Sequence, residues 1–232
     1  MSKLERFAIP SIVTISVVAY LTSQILSNEA FTYHWIARED GVLEWLTAFA
    51  LLAGAVLCWK RSWTLKDSHT AQFVWCTAIY GAMLFFGMGE EVSWGQRILG
   101  VETPEFLANV NAQKETNLHN LVIGETSVNK LIFGKLLAVG LAGYLTLLPF
   151  LFSKYAFVRG WLNRLAIPIP RIQHTLAILF VVLMVETSHA SKRGEITEFA
   201  TTSLALLLLL NPLNVSVFRK RVDEPKPVPL SS

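Results

Sequence analysis

Six apolar stretches, at residues 8–27, 41–59, 71–89, 132–153, 175–190 and 197–215, dominate this chain of 232 residues. Each approaches the roughly 20 residues that a helix needs to cross about 30 Å of hydrocarbon. Backbone polar groups have no water to bond in lipid, so such stretches cross it as helices. Composition agrees: 53% of the residues are hydrophobic, 16% are charged and the mean hydropathy is +0.45, outside the range of ordinary soluble domains. The expected fold is therefore all-α, an integral membrane bundle of about six transmembrane helices over residues 1–216 with a short tail at 217–232. Lys3 and Arg6 precede the first stretch as they would in a signal peptide, yet no small-residue cleavage site follows, and the stretch is expected to remain as a helix. Cys58 and Cys76 suggest neither a disulfide framework nor a four-thiolate metal site.

The net charge of +3 says less than its distribution. With a cytoplasmic N-terminus, the inner segments hold Lys3, Arg6, Lys60, Arg61, Lys66, Lys154, Arg159, Arg164, Arg171, Arg219, Lys220, Arg221 and Lys226, most of the 20 basic residues. The positive-inside rule therefore places both termini in the cytoplasm. Trp59, Trp63, Trp75 and Trp161 then fall near the inner boundary and Trp35, Trp45 and Trp94 near the outer one, as aromatic belts do. The acids go the other way. Of 17, only Glu5, Asp67, Asp223 and Glu224 lie inside. Glu44, Glu91, Glu186 and Glu198 sit within or at the outer ends of apolar stretches, where a carboxylate is costly and faces a bundle interior or a watered cavity.

Several short constellations lie on that outer side. In "GEEVSWGQR" (residues 89–97) Arg97 can clamp Glu90 or Glu91, or hold a phosphate in bidentate fashion, with Ser93 and Gln96 beside it. Asp40 and Glu44 share a helix face four residues apart, and like charges there repel, so the pair calls for a cation or a proton. A structured outer loop is expected at 90–131. It opens with Thr103, Pro104 and Glu105 as the N-cap, first position and first turn of a short helix. In "NAQKETNLHNL" a helix would set Glu115 and His119 one turn apart, able to share a ligand, with Asn117 and Asn120 adding hydrogen-bonding capacity. "VETSHASKRGEITEF" sets Glu186 and His189 at E-x-x-H spacing and Glu195 and Glu198 at E-x-x-E spacing around a tight hairpin. Glu and His three residues apart is how carboxylate-bridged metal sites in bundles take ligands. No phosphate loop, H-E-x-x-H or G-x-S-x-G is present, and no basic groove with interleaved aromatics, so nucleic acid is not an expected partner.

The order "EDGVLEWLTA", "GEEVSWGQRILGVETPEF", "NLHN" and then acids before the last helix resembles a family of small bacterial multi-span membrane proteins described only as uncharacterised. The resemblance covers about residues 39–120 and the final hairpin. It implies a bacterial cytoplasmic (inner) membrane location and carries no activity. A looser similarity, of residue types alone, is to membrane phosphatases of the undecaprenyl pyrophosphate type, which use an E-x-x-x-E pair with Ser, His and Arg at the outer face; their Gly-Ser-Arg-rich loop is missing here.

The expected function is that of a membrane-embedded, metal-dependent enzyme acting on a lipid or lipid-linked substrate by hydrolysis or group transfer. Glu44, Glu91, His119 and Arg97 are its candidate catalytic groups. Arg97, Gln96, Ser93, Asn117 and Asn120 are candidates to bind substrate. Glu91, His119, Glu198, Glu44, Glu195, Glu186 and His189 are candidates to ligate a divalent zinc, manganese, magnesium or iron ion, which would let several carboxylates coexist at low dielectric. Two alternatives stay open: a carboxylate-bridged di-iron oxidoreductase, which needs a second Glu and His pair, and a non-catalytic sensor, transporter or complex subunit.

Overall fold

A computed structural model describes residues 1–25, 41–111, 114–118, 121–123, 126–127, 137–190 and 193–220. Its helices are α1 (Lys3–Ile25), α2 (Val42–Leu65), α3 (Ala71–Glu91), the short α4 (Gln96–Leu99) and α5 (Glu105–Ala108), α6 (Leu137–Ala142), α7 (Leu148–Lys154), α8 (Ala156–Arg164), α9 (Ile172–Glu186) and α10 (Arg193–Leu210). A π-helical turn, Gly143–Leu147, joins α6 to α7. The only strands among the described residues are Val122–Ile123 and Thr126–Ser127, paired antiparallel.

Local chemistry starts two of the long helices. In "SKLE", the Ser2 hydroxyl accepts the Glu5 amide at 3.2 Å while the Glu5 carboxylate accepts the Ser2 amide at 2.6 Å, a reciprocal capping box. Thr70 caps α3 by accepting the Phe73 amide at 3.3 Å, which satisfies one of the unpaired donors of a first turn.

Helix α10 runs through the middle, against α1, α2 and α9, and α2 packs on α3. Leu43, Val181, Val185, Ile196, Phe199 and Ala200 are buried where α2, α9 and α10 meet, and Ala177, Ile178, Leu204 and Leu207 continue the same core toward Leu145. The other faces carry Phe7, Val18, Trp75, Ile79, Met83, Leu176, Phe180 and Leu183, all exposed. Large apolar groups ringing a helical core suit hydrocarbon as the surrounding medium.

Three helices, α1, α2 and α3, are long and apolar enough to cross a membrane, and a fourth crossing arises if residues 139–154 and 156–164, bent by 119°, form one span. The last two apolar stretches differ from expectation for a physical reason. Helix α9 has 15 residues, which is about 22 Å of rise, and the 18 residues of α10 include Arg193, Glu195 and Glu198.

Two opposite ends of the bundle are polar. At one, the beginning of α1, the beginning of α9 and the residue after α10 converge, with Glu5 bonded to His174 at 2.7 Å and to Asn211 at 2.6 Å. The first and last described segments therefore share an end. The other end gathers the start of α2, the close of α3 and the start of α10, and carries the loop from residue 92.

Candidate functional site

A left-handed turn closes α3 and builds the loop end. Ser93, Trp94 and Gly95 follow one another with φ of 44°, 55° and 74°. For residues with a Cβ this region costs roughly 1–2 kcal/mol each, so contacts must hold the turn. Trp94 donates its indole N–H to Glu90 at 2.9 Å and meets Phe86 edge-on at 5.5 Å. It can do so because Gly89 lies beneath it; a Cβ there would stand 2.7 Å from the ring. Glu90 fastens the returning loop with its second oxygen, which accepts the Leu118 amide at 2.5 Å.

The turn aims Arg97 back under the loop. Its Nη2 donates to Glu44 at 3.0 Å and its Nη1 to Glu115 at 2.5 Å. Glu115 also accepts Ser93 Oγ at 2.6 Å and Asn117 Nδ2 at 2.9 Å. Asn117 is held in turn by Asn111, which donates to its carbonyl and side-chain oxygens at 2.8 and 2.9 Å. Glu44, Ser93, Asn111, Glu115 and Asn117 are all buried. Gln96 links the same strands of chain differently: it donates to Thr103 at 2.6 Å and accepts the Thr116 amide at 2.7 Å. Thr103 therefore bridges Gln96 and the Lys114 carbonyl, and Pro104, not Thr103, stands at the N-cap of α5.

This geometry specifies what the clamp can do. Arg97 reaches across two helix ends to two carboxylates, Glu44 and Glu115, in place of its sequence neighbours Glu90 and Glu91. Both of its amino groups are engaged inside the protein, one by each carboxylate. It ties the loop to α2 and α3 through charge-assisted hydrogen bonds.

Beside the clamp is a second cluster of different character. Glu91 at the end of α3 and Glu195 and Glu198 in the first two turns of α10 place carboxylate oxygens that all lie within 4.8 Å of one another. Glu91 and Glu195 are partly buried and Glu198 is exposed. Glu44 is within electrostatic reach of Glu91 as well, so the two clusters feel each other. For two ionised groups at such a separation the repulsion is about 1 kcal/mol in bulk water and about 3–4 kcal/mol at the effective dielectric near a protein surface. The dipole of α10 favours acids in its first turn, but Glu91 stands at the disfavoured end of α3. A cation among the three oxygens reverses every one of these repulsions.

The structure thus brings Glu91, Glu195 and Glu198 together, and Glu44, Ser93, Arg97 and Asn117 together next to them. It leaves Glu186 and His189 aside: Glu186 is exposed and pairs with Arg193 at 3.5 Å, and His189 is exposed. Asp40, His119 and Asn120 lie outside the described residues. Residues 114–118 form bends without a helical turn, so the spacing argument that coupled Glu115 to position 119 does not apply, and Glu115 spends its carboxylate on the clamp. Sequence reasoning missed Glu90 and Asn111 as organisers. Their signal was there in "GEE" and "NAQKETN", where a second acid and a further amide exceed what one ion pair needs.

Compared with protein-family models, curated proteins and solved structures, the chain finds no match.

Proposed function

We propose that the protein is an integral membrane protein that binds a divalent cation through Glu91, Glu195 and Glu198 and uses it for hydrolysis or group transfer on a lipid or lipid-linked substrate at the outer face of a bacterial inner membrane. The observation that carries this reading is the convergence of three carboxylates from two helices within 4.8 Å. An all-oxygen set favours a hard ion, magnesium or manganese ahead of zinc. Three protein ligands leave coordination positions for water and for a substrate oxygen, and a bound cation activates the one and polarises the other. In this reading the Glu44–Arg97–Glu115 clamp positions the loop over the cradle and takes no proton from the substrate.

The orientation is part of the proposal. The sequence assigns thirteen basic residues to the segments on the side of the termini, which supports a cytoplasmic assignment for the Glu5 end and sets the carboxylates outside. Six crossings are supported by the way α9 lies along α1: Glu5 meets His174 near one end and Tyr20 meets Thr187, at 2.8 Å, near the other. A short helix that lies along most of a longer neighbour is accommodated by tilt or local thinning of the bilayer.

The engagement of Ser93, Arg97 and Asn117 within the protein favours a second reading, in which the same cation site serves a non-catalytic sensor, transporter or complex subunit. Elemental analysis of protein purified with magnesium or manganese tests the common core. One equivalent of metal in the wild type, lost in Glu91→Gln and Glu198→Gln at unchanged helical content, is the expected result. Turnover of a lipid-linked phosphate by the loaded wild type and not by these variants selects the enzyme; stoichiometric metal without turnover selects the second reading. A folded wild type that retains no metal at millimolar concentrations refutes both.

A further inference from the structure

At the opposite, basic end of the bundle a cavity of about 490 Å³ opens between the α2–α3 turn, the end of α8 and the 3₁₀ turn Val215–Phe218. Its size is that of a small-ligand site. Polar groups line it, Ser68, His69, Thr70, Asn163, Arg164 and Ser216, together with the apolar Phe73 and Val217.

The walls are held by bonds that leave certain groups available. His69 is fixed between Ser68, at 3.0 Å, and the Val217 carbonyl, at 2.8 Å. Asn163 accepts from Asn214 at 2.9 Å. Phe73 is buried against Phe218, with ring centroids 5.7 Å apart, and Arg61 covers the outer face of Phe218 at 4.6 Å. By contrast, the Arg164 guanidinium and the Ser216 hydroxyl have no hydrogen-bond or ion-pair partner among the described residues. The exposed Arg164 fork and the Ser216 hydroxyl therefore line this space without a partner among the described residues, and no Asp or Glu is among the lining residues described. The fork geometry of Arg and the hydroxyl donors match a phosphate group. The dipole of the 21-residue α3, which begins at this rim, adds positive potential of the same sense.

The level of the cavity also points to a source. Trp63 and Trp75, exposed on α2 and α3 close to the rim, and Trp161 on α8 are residues of the kind that sit at lipid headgroups, and Lys66 lies over the Trp63 ring at 3.9 Å.

We propose that this cavity binds a phosphate group, that of an anionic lipid headgroup or of a free phosphate compound, with Arg164 as its principal ligand. The site is separate from the carboxylate cradle and does not rest on it. The test uses the full chain in phosphatidylcholine nanodiscs with and without phosphatidylglycerol, counting retained lipid by native mass spectrometry, with inorganic phosphate as competitor. Saturable retention of phosphatidylglycerol is expected. Arg164→Ala should weaken it about tenfold, as loss of a charge-assisted bidentate contact does. Ser216→Phe, which fills the cavity without changing charge, should weaken it similarly. Lys60→Ala, an equal loss of charge on the exposed flank of α2, should leave it within about twofold. Displacement of the lipid by inorganic phosphate identifies a phosphate-compound site, and resistance to it identifies a headgroup site; both support the proposal. Equal losses in Arg164→Ala and Lys60→Ala, an unaffected Ser216→Phe, or no saturable retention in the wild type overturns it.

Discussion

Replacing Arg97 by Ala removes the guanidinium that joins Glu44 to Glu115, whose side chains are 8% and 11% exposed. Removing one member of a buried ion pair costs about 3–5 kcal/mol, because the remaining charge stays buried without compensation. The Arg97 side chain is itself 27% exposed, and solvent screening lowers the expected cost to about 2–3 kcal/mol. For a chain of this length each kcal/mol moves the midpoint by about 2–4 °C, so the variant should melt about 4–12 °C below wild type in the same detergent. Thermal unfolding followed by circular dichroism is the assay. Arg97→Lys should recover only part of the loss, since a single ammonium lacks the fork that spans two carboxylates. Glu115→Gln should lower the midpoint as well, because Glu115 also receives Ser93 and Asn117. A midpoint within about 1 °C of wild type for Arg97→Ala, or full additivity of Arg97→Ala with Glu115→Gln in a double-mutant cycle, would show that the clamp does not couple loop to helices.

Two neighbouring glycines should respond in opposite ways. Gly81→Ala drives a methyl to within 2.6 Å of the Trp59 ring and should destabilise by about 1–3 kcal/mol through overpacking. Gly87→Ala meets only Leu51 at 3.7 Å and should be neutral or stabilising by up to about 1 kcal/mol from helix propensity; thermal melts of the pair decide. At the other end of the bundle, Glu5→Ala should leave His174 unpartnered and release Asn211, so hydrogen exchange should accelerate over residues 3–9 and spare the α2–α3 pair. Uniform exchange across both regions would refute that local role.

Hydropathy located the long helices because it senses runs of apolar residues, yet it missed their ends, and the helix at Ala156–Arg164, because helices also form from sequence that is not apolar throughout. The stretch read as 41–59 runs on through Lys60, Arg61 and Ser62 to Leu65, charged residues that suit a helix and not a lipid interior. Candidate acids were legible for the same reason: Glu44, Glu91 and Glu198 interrupt apolar sequence. Their partners were not. Arg97 lies 53 residues from Glu44 and 18 from Glu115, and only the left-handed turn at Ser93 and Trp94, a conformation neither residue type announces, brings them together. Glu91 meets Glu195 and Glu198 through the docking of α10 beside α2, which no local pattern encodes. Glu5 reads in sequence as part of a charged leader to the first span, and His174 as one polar residue opening an apolar helix. Their contact across 169 positions emerges only when α1 and α9 lie side by side.

Helix α10 is a rod about 27 Å long fastened at both tips. Past its last turn the Asn211 side chain donates to Glu5 and the Asn211 carbonyl accepts from Arg171. At its first residue Arg193 donates to the Ser188 carbonyl at 2.8 Å and to that of Glu186. Greasy cylinders in lipid slide along one another cheaply, since oil replaces oil at each step. Here any axial slip breaks polar joints at one tip or the other. Two anchors thus fix the register of the rod, and with it the height at which Glu195 and Glu198 stand beside Glu91.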